Sequence, residues 1–260
     1  MSSPPSFTST LLEAPVHIRH GFYGRQGGVS TGIFDSLNCS QFSGDSDESI
    51  NINRQRVADS LGGTRIFSNR QIHSNRVRVI DRRSNPDEIF EGDGLVTREA
   101  GLCLGVLGAD CVPVLFADPD EPIIGAAHVG WKGALLGVTD AVIDKMMALG
   151  ARRDRIVCAV GPAIQVGSYQ VGPEIVARFQ ADSPVQCEDC FRRDDNDASY
   201  YFDLPQYVQK RLTQAGIESR DVLPHDTYQD ELRFFSYRRS CHRGETGYGR
   251  QIGAIMLRGI

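Results

Sequence analysis

Cys111 and His128 are the two reactive side chains that the local sequence brings together most directly. Two apolar runs, residues 112–116 and 123–127, flank a turn rich in proline and aspartate, which predicts two buried strands joined in a hairpin. A type I turn with Pro119 at its second position would place Cys111 directly opposite His128. Directly opposed residues have Cβ atoms roughly 4.5–5.5 Å apart, so the thiol and the imidazole are predicted to meet.

A cysteine and a histidine at this separation support two kinds of chemistry, and both stay open at this point. With His73, which also lies at a predicted strand end, Cys111 and His128 could bind zinc and leave a fourth position free, as catalytic zinc sites do. Zinc lowers the pKa of a bound thiol and of bound water. Alternatively, Cys111 is a nucleophile with His128 or His73 as its base, as in a hydrolase or amidase.

Arg25 and two aspartates are further candidates for catalysis. Arg25 lies in a glycine-rich loop, residues 24–32, and its guanidinium could form paired hydrogen bonds with a phosphate or a carboxylate. The loop lacks the Gly-Lys-Ser/Thr ending of a P-loop, so it is not predicted to cradle a nucleotide. Asp93 precedes a glycine and Asp110 precedes Cys111, which makes both candidate general bases.

Composition indicates a cytoplasmic protein that acts on small molecules. The 260 residues carry a formal net charge of −5 and no basic run, so no nucleic-acid partner is predicted. The seven cysteines are odd in number and irregularly spaced, which favours reduced thiols. Cys187 and Cys190 form half of a zinc-ribbon pattern in an acidic loop, without a second half. The N-terminus lacks the features of a signal peptide, and no apolar run approaches the length of a membrane span.

The hydrophobic pattern predicts one α+β domain with mixed sheets over residues 15–260, preceded by a flexible polar tail at residues 1–14. Strands outnumber helices without strict alternation, so a regular parallel βα fold is not predicted. The clearest helices are predicted at residues 46–61, 134–149, 173–180 and 204–215, and the last strands at residues 234–237 and 252–257.

Several stretches, spread in order over nearly the whole chain, resemble the YfiH family, also called the laccase-domain or polyphenol oxidase family. Among them are a Gln-Ile-His-Ser sequence, an Ala-Asp-Cys-Val-Pro-Val sequence and an Ala-His-Val-Gly-Trp-Lys-Gly sequence. The stretches that carry the resemblance are residues 20–30, 36–38, 71–74, 93–97, 109–114, 127–133, 161–164 and 234–239.

The resemblance implies a four-layer α/β/β/α domain and a zinc site formed by His73, Cys111 and His128. Copper can replace zinc in such a set, because it binds these ligands more tightly. A four-copper laccase is not expected, whatever the family is called. It would need a blue-copper centre and a separate histidine-rich cluster, which six histidines cannot supply.

The resemblance also implies a set of activities, for which candidate residues of this chain receive roles. Cys111, Asp110 and Arg25 are expected to be catalytic, and Arg25, Asn38 and Gln71 to bind substrate. The implied reactions are phosphorolysis of adenosine, inosine, guanosine and S-methyl-5′-thioadenosine, and deamination of adenosine. The alternatives are an amidase that removes a wrong amino acid from a UDP-linked muramic-acid precursor, and a non-catalytic metal-binding protein. The expected partners are nucleoside and phosphate, and the expected assembly is a monomer or a small homo-oligomer.

Overall fold

Residues 3–195 and 198–259 are described by the computed structural model, and they form seven α-helices and fourteen β-strands. The helices are α1 (Thr10–Glu13), α2 (Asp47–Leu61), α3 (Trp131–Leu136), α4 (Val138–Ala148), α5 (Pro173–Asp182), α6 (Leu204–Gln214) and α7 (Tyr237–Arg243). The strands are β1 (Ser6–Phe7), β2 (Ile18–Tyr23), β3 (Ile66–Phe67), β4 (Val77–Val79), β5 (Gly94–Thr97), β6 (Cys103–Gly108), β7 (Val112–Asp118), β8 (Ile123–Val129), β9 (Val157–Val160), β10 (Gln170–Val171), β11 (Phe191–Arg193), β12 (Tyr200–Phe202), β13 (Arg220–Val222) and β14 (Gln251–Leu257).

Two mixed sheets pack face to face at the centre of the fold. The six-stranded sheet has the order β13-β9-β7-β8-β5-β4, and the five-stranded sheet has the order β1-β2-β14-β6-β3. Leu115 and Ile124 of the larger sheet meet Leu104 and Ile255 of the smaller one in a fully buried core. Apolar side chains that alternate along each strand fill this space, because successive residues point to opposite faces.

Helices cover the outer face of each sheet. Val57 and Leu61 of α2 pack on the five-stranded sheet, and Val142 of α4 and Leu212 of α6 pack on the six-stranded sheet. The helix α2 begins at the predicted place, since Ser46 caps its N-terminus by accepting a hydrogen bond from the backbone of Ser49. The prediction of a four-layer α/β/β/α domain with mixed sheets is confirmed. A small sheet of the order β10-β12-β11 lies beside these layers.

The hairpin of β7 and β8 forms, but its register differs from the predicted one. Pro113, and not Cys111, lies opposite His128. The loop after Asp118 contains four residues instead of two, because Pro122 has no N–H to donate and the Asp118 carboxylate accepts two backbone N–H groups of the loop. The predicted register, with Cys111 directly opposite His128, is therefore wrong by two residues. A shift of two keeps side chains on the same face, so the two residues still approach each other.

The N-terminal segment is part of the domain. A flexible tail is predicted for residues 1–14, of which the first two lie outside the described residues. Instead β1 pairs with β2, and α1 follows with Leu12 fully buried. The carboxylate of Asp221 accepts hydrogen bonds from the Ser9 hydroxyl at 2.5 Å and from the Leu11 backbone at 3.2 Å. The prediction of a flexible tail is wrong for these residues, because a few specific contacts fix a polar sequence.

Two other predicted elements differ from the structure. The single helix expected at residues 134–149 is two helices, because Gly137 adopts a left-handed φ of 80° between α3 and α4. The strand expected at residues 234–237 is instead the capped start of α7, where the Ser236 side chain accepts a hydrogen bond from the backbone of Arg239. The second difference places Tyr237 and Arg238, which belong to the site described below, at the N-terminus of α7.

Cys187 and Cys190 do not lie in an exposed loop. Both side chains are buried against the cluster that contains Phe202 and Tyr207, and they flank a short 3₁₀ turn that leads into β11. Burial raises the pKa of both thiols, so neither is poised as a thiolate. No helix within residues 3–195 and 198–259 has the length and apolarity that crossing a membrane requires.

We expect the docking of the N-terminal segment to weaken in acid. His20 Nε2 accepts a hydrogen bond from the Ser9 backbone at 2.8 Å, which requires an unprotonated nitrogen. Burial lowers the pKa of His20 from 6.5 to about 4, against the raising effects of Glu13 and Asp221. The folded-state pKa lies below the unfolded one, so this stabilisation is present above pH 6.5 and is lost as the pH falls toward 4.

Urea unfolding at about pH 7 and about pH 4.5 measures this effect. The free energy of unfolding of the wild type should fall between about pH 7 and about pH 4.5. In a His20→Gln variant this fall should be smaller by roughly 2–3 kcal/mol. Equal losses in both proteins would show that His20 does not carry the pH dependence.

Candidate metal centre and adjoining cavity

Three side chains that could bind a metal meet where the larger sheet ends. His73 lies in the loop between β3 and β4, Cys111 directly precedes β7, and His128 lies near the end of β8. Their ligand atoms all lie within 4.8 Å of one another, and Cys111 Sγ is 3.8 Å from His73 Nε2. His128 is buried, Cys111 is partly exposed and His73 is exposed. The structure therefore brings together the three predicted metal ligands.

The carboxylate of Asp93, which directly precedes β5, holds two of these residues in place. It accepts hydrogen bonds from the backbone N–H groups of Ile72, His73 and Ser74 at 2.6–3.2 Å and from the Ser74 hydroxyl at 2.8 Å. His128 Nδ1 lies 2.9 Å from Asp93 Oδ1. A proton on Nδ1 donates to this oxygen, so the Nε2 lone pair is directed to the other side of the ring. Carboxylates orient metal-binding histidines in this way.

The charges in the site favour the thiolate, which is the metal-binding form of Cys111. Burial raises the pKa of the Cys111 thiol, but the neighbouring His128 and His73 lower it by more, to about 6. Burial lowers the pKa of His128, whereas Cys111 and Asp93 raise it to about 9. Burial raises the pKa of Asp93, but hydrogen bonds from His128 and Ser74 bring it down to about 2. The thiolate of Cys111 and the protonated ring of His128 therefore stabilise each other, and a bound cation would take the place of the ring proton.

The donor set and its spacing fit a zinc or copper ion. Tetrahedral zinc with bonds of about 2.0–2.3 Å places neighbouring ligand atoms roughly 3.3–3.6 Å apart, close to the 3.8 Å between Cys111 and His73. Thiolate and imidazole suit both metals. Within the described residues this is the one group of three or more histidine, cysteine, aspartate or glutamate side chains with such spacing. A site for one metal ion therefore fits the described part of this chain better than a set of sites for several copper ions.

Gly130 leaves the space that the centre needs. A Cβ atom on Gly130 would lie 2.4 Å from His73 Cδ2 and 3.1 Å from Cys111 Sγ, so any other residue would push into the two ligands. His73 itself has a φ of 60°, which is costly for a residue other than glycine. The three hydrogen bonds that Asp93 makes to the backbone of residues 72–74 hold this conformation.

A cavity of about 250 Å³ opens directly beside the triad, and most of its wall is apolar or aromatic. Its volume is slightly below the roughly 300–1,000 Å³ of typical small-molecule pockets. Three aromatic side chains line it, Trp131 from α3, Tyr237 from α7 and Tyr169 from the segment between β9 and β10. The lining residues are His73, Ala109, Asp110, Cys111, Trp131, Ile164, Tyr169, Leu204, Tyr237 and Arg238.

Asp110 is buried in the wall of this cavity, and three donors occupy its carboxylate. Thr227 Oγ1 donates to Oδ1 at 2.8 Å, while Ser236 Oγ and the backbone of Arg238 donate to Oδ2 at 2.9 and 2.7 Å. Burial raises its pKa, against the lowering effect of these hydrogen bonds. Asp110 has a φ of 93° and immediately precedes Cys111. Its contacts join the metal ligand to the start of α7.

Arg25 lies at a different cavity. Its Nε donates to the backbone oxygen of Asp35 at 2.7 Å, and its guanidinium stacks over the Phe235 ring at 4.6 Å. This second cavity, of about 230 Å³, is also lined by Arg239 and Arg243. The structure therefore does not bring the guanidinium of Arg25 to the wall of the cavity beside the triad.

Asn38 and Gln71 use their amide groups within the protein. Asn38 is fully buried, donates to Ser43 and Asp45, and accepts from the backbone of Ser40 and Arg250. The side chain of Gln71 donates to the Leu107 carbonyl at 2.7 Å and accepts from the Leu107 N–H at 2.7 Å. Gln71 therefore ties the loop of His73 to the end of β6. These contacts indicate that Asn38 and Gln71 shape the loops around the site.

Three features of the site are not assigned by sequence reasoning. These are the orienting role of Asp93, the space left by Gly130 and the position of Arg238 in the cavity wall. All three residues belong to the stretches that carry the family resemblance, but their roles depend on contacts between distant segments. Arg238 is the one Arg or Lys among the described residues that line the cavity.

Comparisons with known proteins identify the family of this chain. Residues 19–258 match the family described as multi-copper polyphenol oxidoreductase laccase. The chain belongs to this family, which is the YfiH family expected from its motifs.

Curated relatives of similar length carry an enzyme name. A purine nucleoside phosphorylase of Corynebacterium glutamicum is 37% identical over 243 residues, which cover 92% of this chain and 94% of that protein. A purine nucleoside phosphorylase of Deinococcus radiodurans is 36% identical over 238 residues, with 91% and 89% covered.

A solved structure shows the same fold. The hypothetical protein YfiH of Bacillus licheniformis is 30% identical and superposes with a TM-score of 0.87, covering 95% of each chain.

A methyl group at residue 130 should damage the metal centre without unfolding the protein. We expect Gly130→Ala to lower zinc affinity tenfold to a hundredfold. Overpacking by one methyl group costs about 1–3 kcal/mol, and here the added methyl group would collide with the side chains of His73 and Cys111. Gly133→Ala, within the helix that Gly130 precedes, is a matched control, since its Cβ would meet nothing closer than 3.4 Å. Zinc titration against a competing chelator measures both. Equal affinities in the two variants would contradict the assigned role of Gly130.

Proposed function

We propose that this protein is a zinc-dependent enzyme that cleaves purine nucleosides with phosphate and also deaminates adenosine. The proposed substrates of phosphorolysis are adenosine, inosine, guanosine and S-methyl-5′-thioadenosine. The observation that carries the proposal is the junction of the His73, Cys111 and His128 triad with an aromatic cavity. The name purine nucleoside phosphorylase, carried by relatives that match most of this chain, supports the same reaction.

The cavity suits a planar base. Trp131, Tyr169 and Tyr237 supply aromatic faces and edges, with which a purine ring can form offset or edge-to-face contacts. Ile164 and Leu204 complete an apolar wall that excludes water. The unpaired thiols of all seven cysteines support a reducing compartment, and we propose the cytoplasm.

Phosphorolysis makes specific demands on such a pocket. An oxygen of phosphate forms a bond to C1′ while the bond from C1′ to N9 breaks, and the electron pair leaves with the purine, which takes up a proton. The protein must therefore hold an anion beside the sugar and stabilise charge on the departing base. His73 and Cys111 would hold the ion in the cavity wall, where it would supply Lewis-acid stabilisation of negative charge.

Asp93 and Asp110 are better suited to positioning than to proton transfer. Asp93 is fully buried, and its contacts orient His73 and His128. All the hydrogen bonds of the Asp110 carboxylate go to protein donors. In deamination, water replaces the amino group at C6 and a proton must move to the departing ammonia. Once His73 and Cys111 hold the ion, Tyr169 and Tyr237 supply the hydroxyl groups in the described cavity wall that could exchange a proton.

An amidase acting on a muramic-acid precursor is the second candidate. The observation that favours it is the position of Cys111, whose Sγ lies 3.8 Å from His73 Nε2, beside two histidines that lower the pKa of its thiol. Such a thiolate could attack an amide carbonyl with His73 or His128 as the proton donor to the leaving amine. This reaction would need the centre free of metal, whereas the phosphorylase reaction is proposed to need it loaded.

We expect the zinc-loaded protein to convert inosine and phosphate to hypoxanthine and ribose 1-phosphate, and adenosine without phosphate to inosine. His73→Ala should lower kcat/KM for phosphorolysis at least about a hundredfold, because it removes a ligand of the ion. His242→Ala is the matched control, since this exposed histidine contacts Tyr228 and lies outside the triad. Chromatography of the purine products measures all three proteins.

The other functions predict different outcomes. Release of a free amino acid from the muramyl nucleotide by the chelator-treated protein, with no purine product from the loaded one, would support the amidase. A protein that retains zinc tightly and converts neither substrate would be a metal-binding protein. Equal phosphorolysis by His73→Ala and His242→Ala would contradict the role of the triad.

A further inference from the structure

Phosphorolysis requires a cation in the cavity, and the sequence points to Arg25 for this task. The structure places Arg25 elsewhere, where its Nε and Nη1 donate to backbone oxygens of Asp35 and Glu231. The second cavity also holds its own negative charges, since Arg243 forms a bidentate ion pair with Glu231 and Glu245 lies in the same wall. A phosphate there would compete with carboxylates that are already present.

Arg238, unlike Arg25, lies in the wall of the cavity beside the triad. It lies in the first turn of α7 and lines the cavity together with His73 and Cys111. Its guanidinium is held on one side, where Nη1 donates to the Gln170 carbonyl at 2.8 Å and the plane lies 5.5 Å from the centre of the Tyr169 ring. Neither Nε nor Nη2 has a hydrogen-bond acceptor among the described residues. These two donors form the edge with which an arginine binds two oxygens of one anion.

The positive charge of Arg238 also has no carboxylate partner nearby among the described residues. No carboxylate of residues 3–195 and 198–259 lies within 4.0 Å of its guanidinium nitrogens, whereas Arg211 and Arg243 each form an ion pair. The carboxylate of Asp110 accepts a hydrogen bond from the Arg238 backbone and forms no ion pair with its guanidinium within that distance. A half-buried cation beside an apolar wall attracts an anion more strongly than an exposed one, because little solvent screens it.

We infer that Arg238 binds the inorganic phosphate that attacks the nucleoside. This inference rests on the proposed phosphorolysis and names the group that holds its second substrate. Paired hydrogen bonds from Nε and Nη2 would fix two phosphate oxygens, and a third oxygen would form the bond to C1′ as the bond to N9 breaks. Arg238 keeps its proton throughout. Asp110 joins Arg238 to Cys111 through one residue, so the phosphate and the metal centre keep a fixed separation.

Kinetics with phosphate as the varied substrate test this inference. Arg238→Gln should raise the KM for phosphate about tenfold to a hundredfold, the effect expected for losing a bidentate charged contact, and should change the KM for inosine less than about threefold. Arg238→Lys keeps the positive charge but lacks the paired donors of the guanidinium. Its KM for phosphate should therefore lie between those of the wild type and of Arg238→Gln. Arg192→Gln is the matched control, because Arg192 stacks on Tyr201 in the same manner but lies on exposed β11.

A binding measurement separates this inference from the proposed function. Phosphate should raise the Tm of the zinc-loaded wild type and of Arg192→Gln in a concentration-dependent way, and should not raise that of Arg238→Gln. If no nucleoside is cleaved but this pattern appears, the proposed reaction fails while Arg238 remains the phosphate-binding residue. If Arg25→Gln and not Arg238→Gln raises the KM for phosphate, or if phosphate stabilises Arg238→Gln as much as the wild type, the inference is overturned. Zinc content and circular dichroism confirm that each variant is folded.

Discussion

The buried carboxylate of Asp93 is the interaction on which the centre depends. It accepts four hydrogen bonds from the loop of His73 and a fifth from the His128 ring, and it is fully buried. An isolated charge in this position would be very costly, and the dense set of donors offsets that cost. One anion therefore fixes the backbone of one ligand and the ring orientation of another. The amide of Gln71 adds a second attachment of this loop, to the end of β6.

The carboxylate of Asp110 holds segments of the cavity wall together in the same way. Its carboxylate joins the segment of Thr227 to the start of α7, while its own backbone leads into Cys111. His73 and Asp110 both have a positive φ, which few residues other than glycine adopt. Strained residues of this kind persist where surrounding contacts over-determine them. The two aspartates supply those contacts, so rigid positioning of the metal side and the substrate side has the same physical origin.

Much of the frame can be predicted from the sequence, because apolar periodicity and turn residues are local signals. The strands around Cys111 and His128 follow from two apolar runs, and even the wrong register keeps both residues on one face. The position of His73 cannot be derived in this way. Its approach depends on hydrogen bonds to Asp93, twenty residues further along the chain. The motifs shared with the family supplied what periodicity lacks, though they gave no reason to choose Arg238 over Arg25.

The donor set argues for one reactive ion, whatever the family description suggests. Electron transfer among several coppers requires several clusters of ligands, and the described residues contain one group of three. Three protein ligands leave an open coordination position, as in catalytic sites, whereas structural zinc sites are closed by four. The cavity beside His73 and Cys111 gives substrate access to the centre. If the proposed function holds, the aromatic wall and single arginine of this cavity would select the substrate, so specificity in this family should vary with the residues around the triad more than with the triad itself.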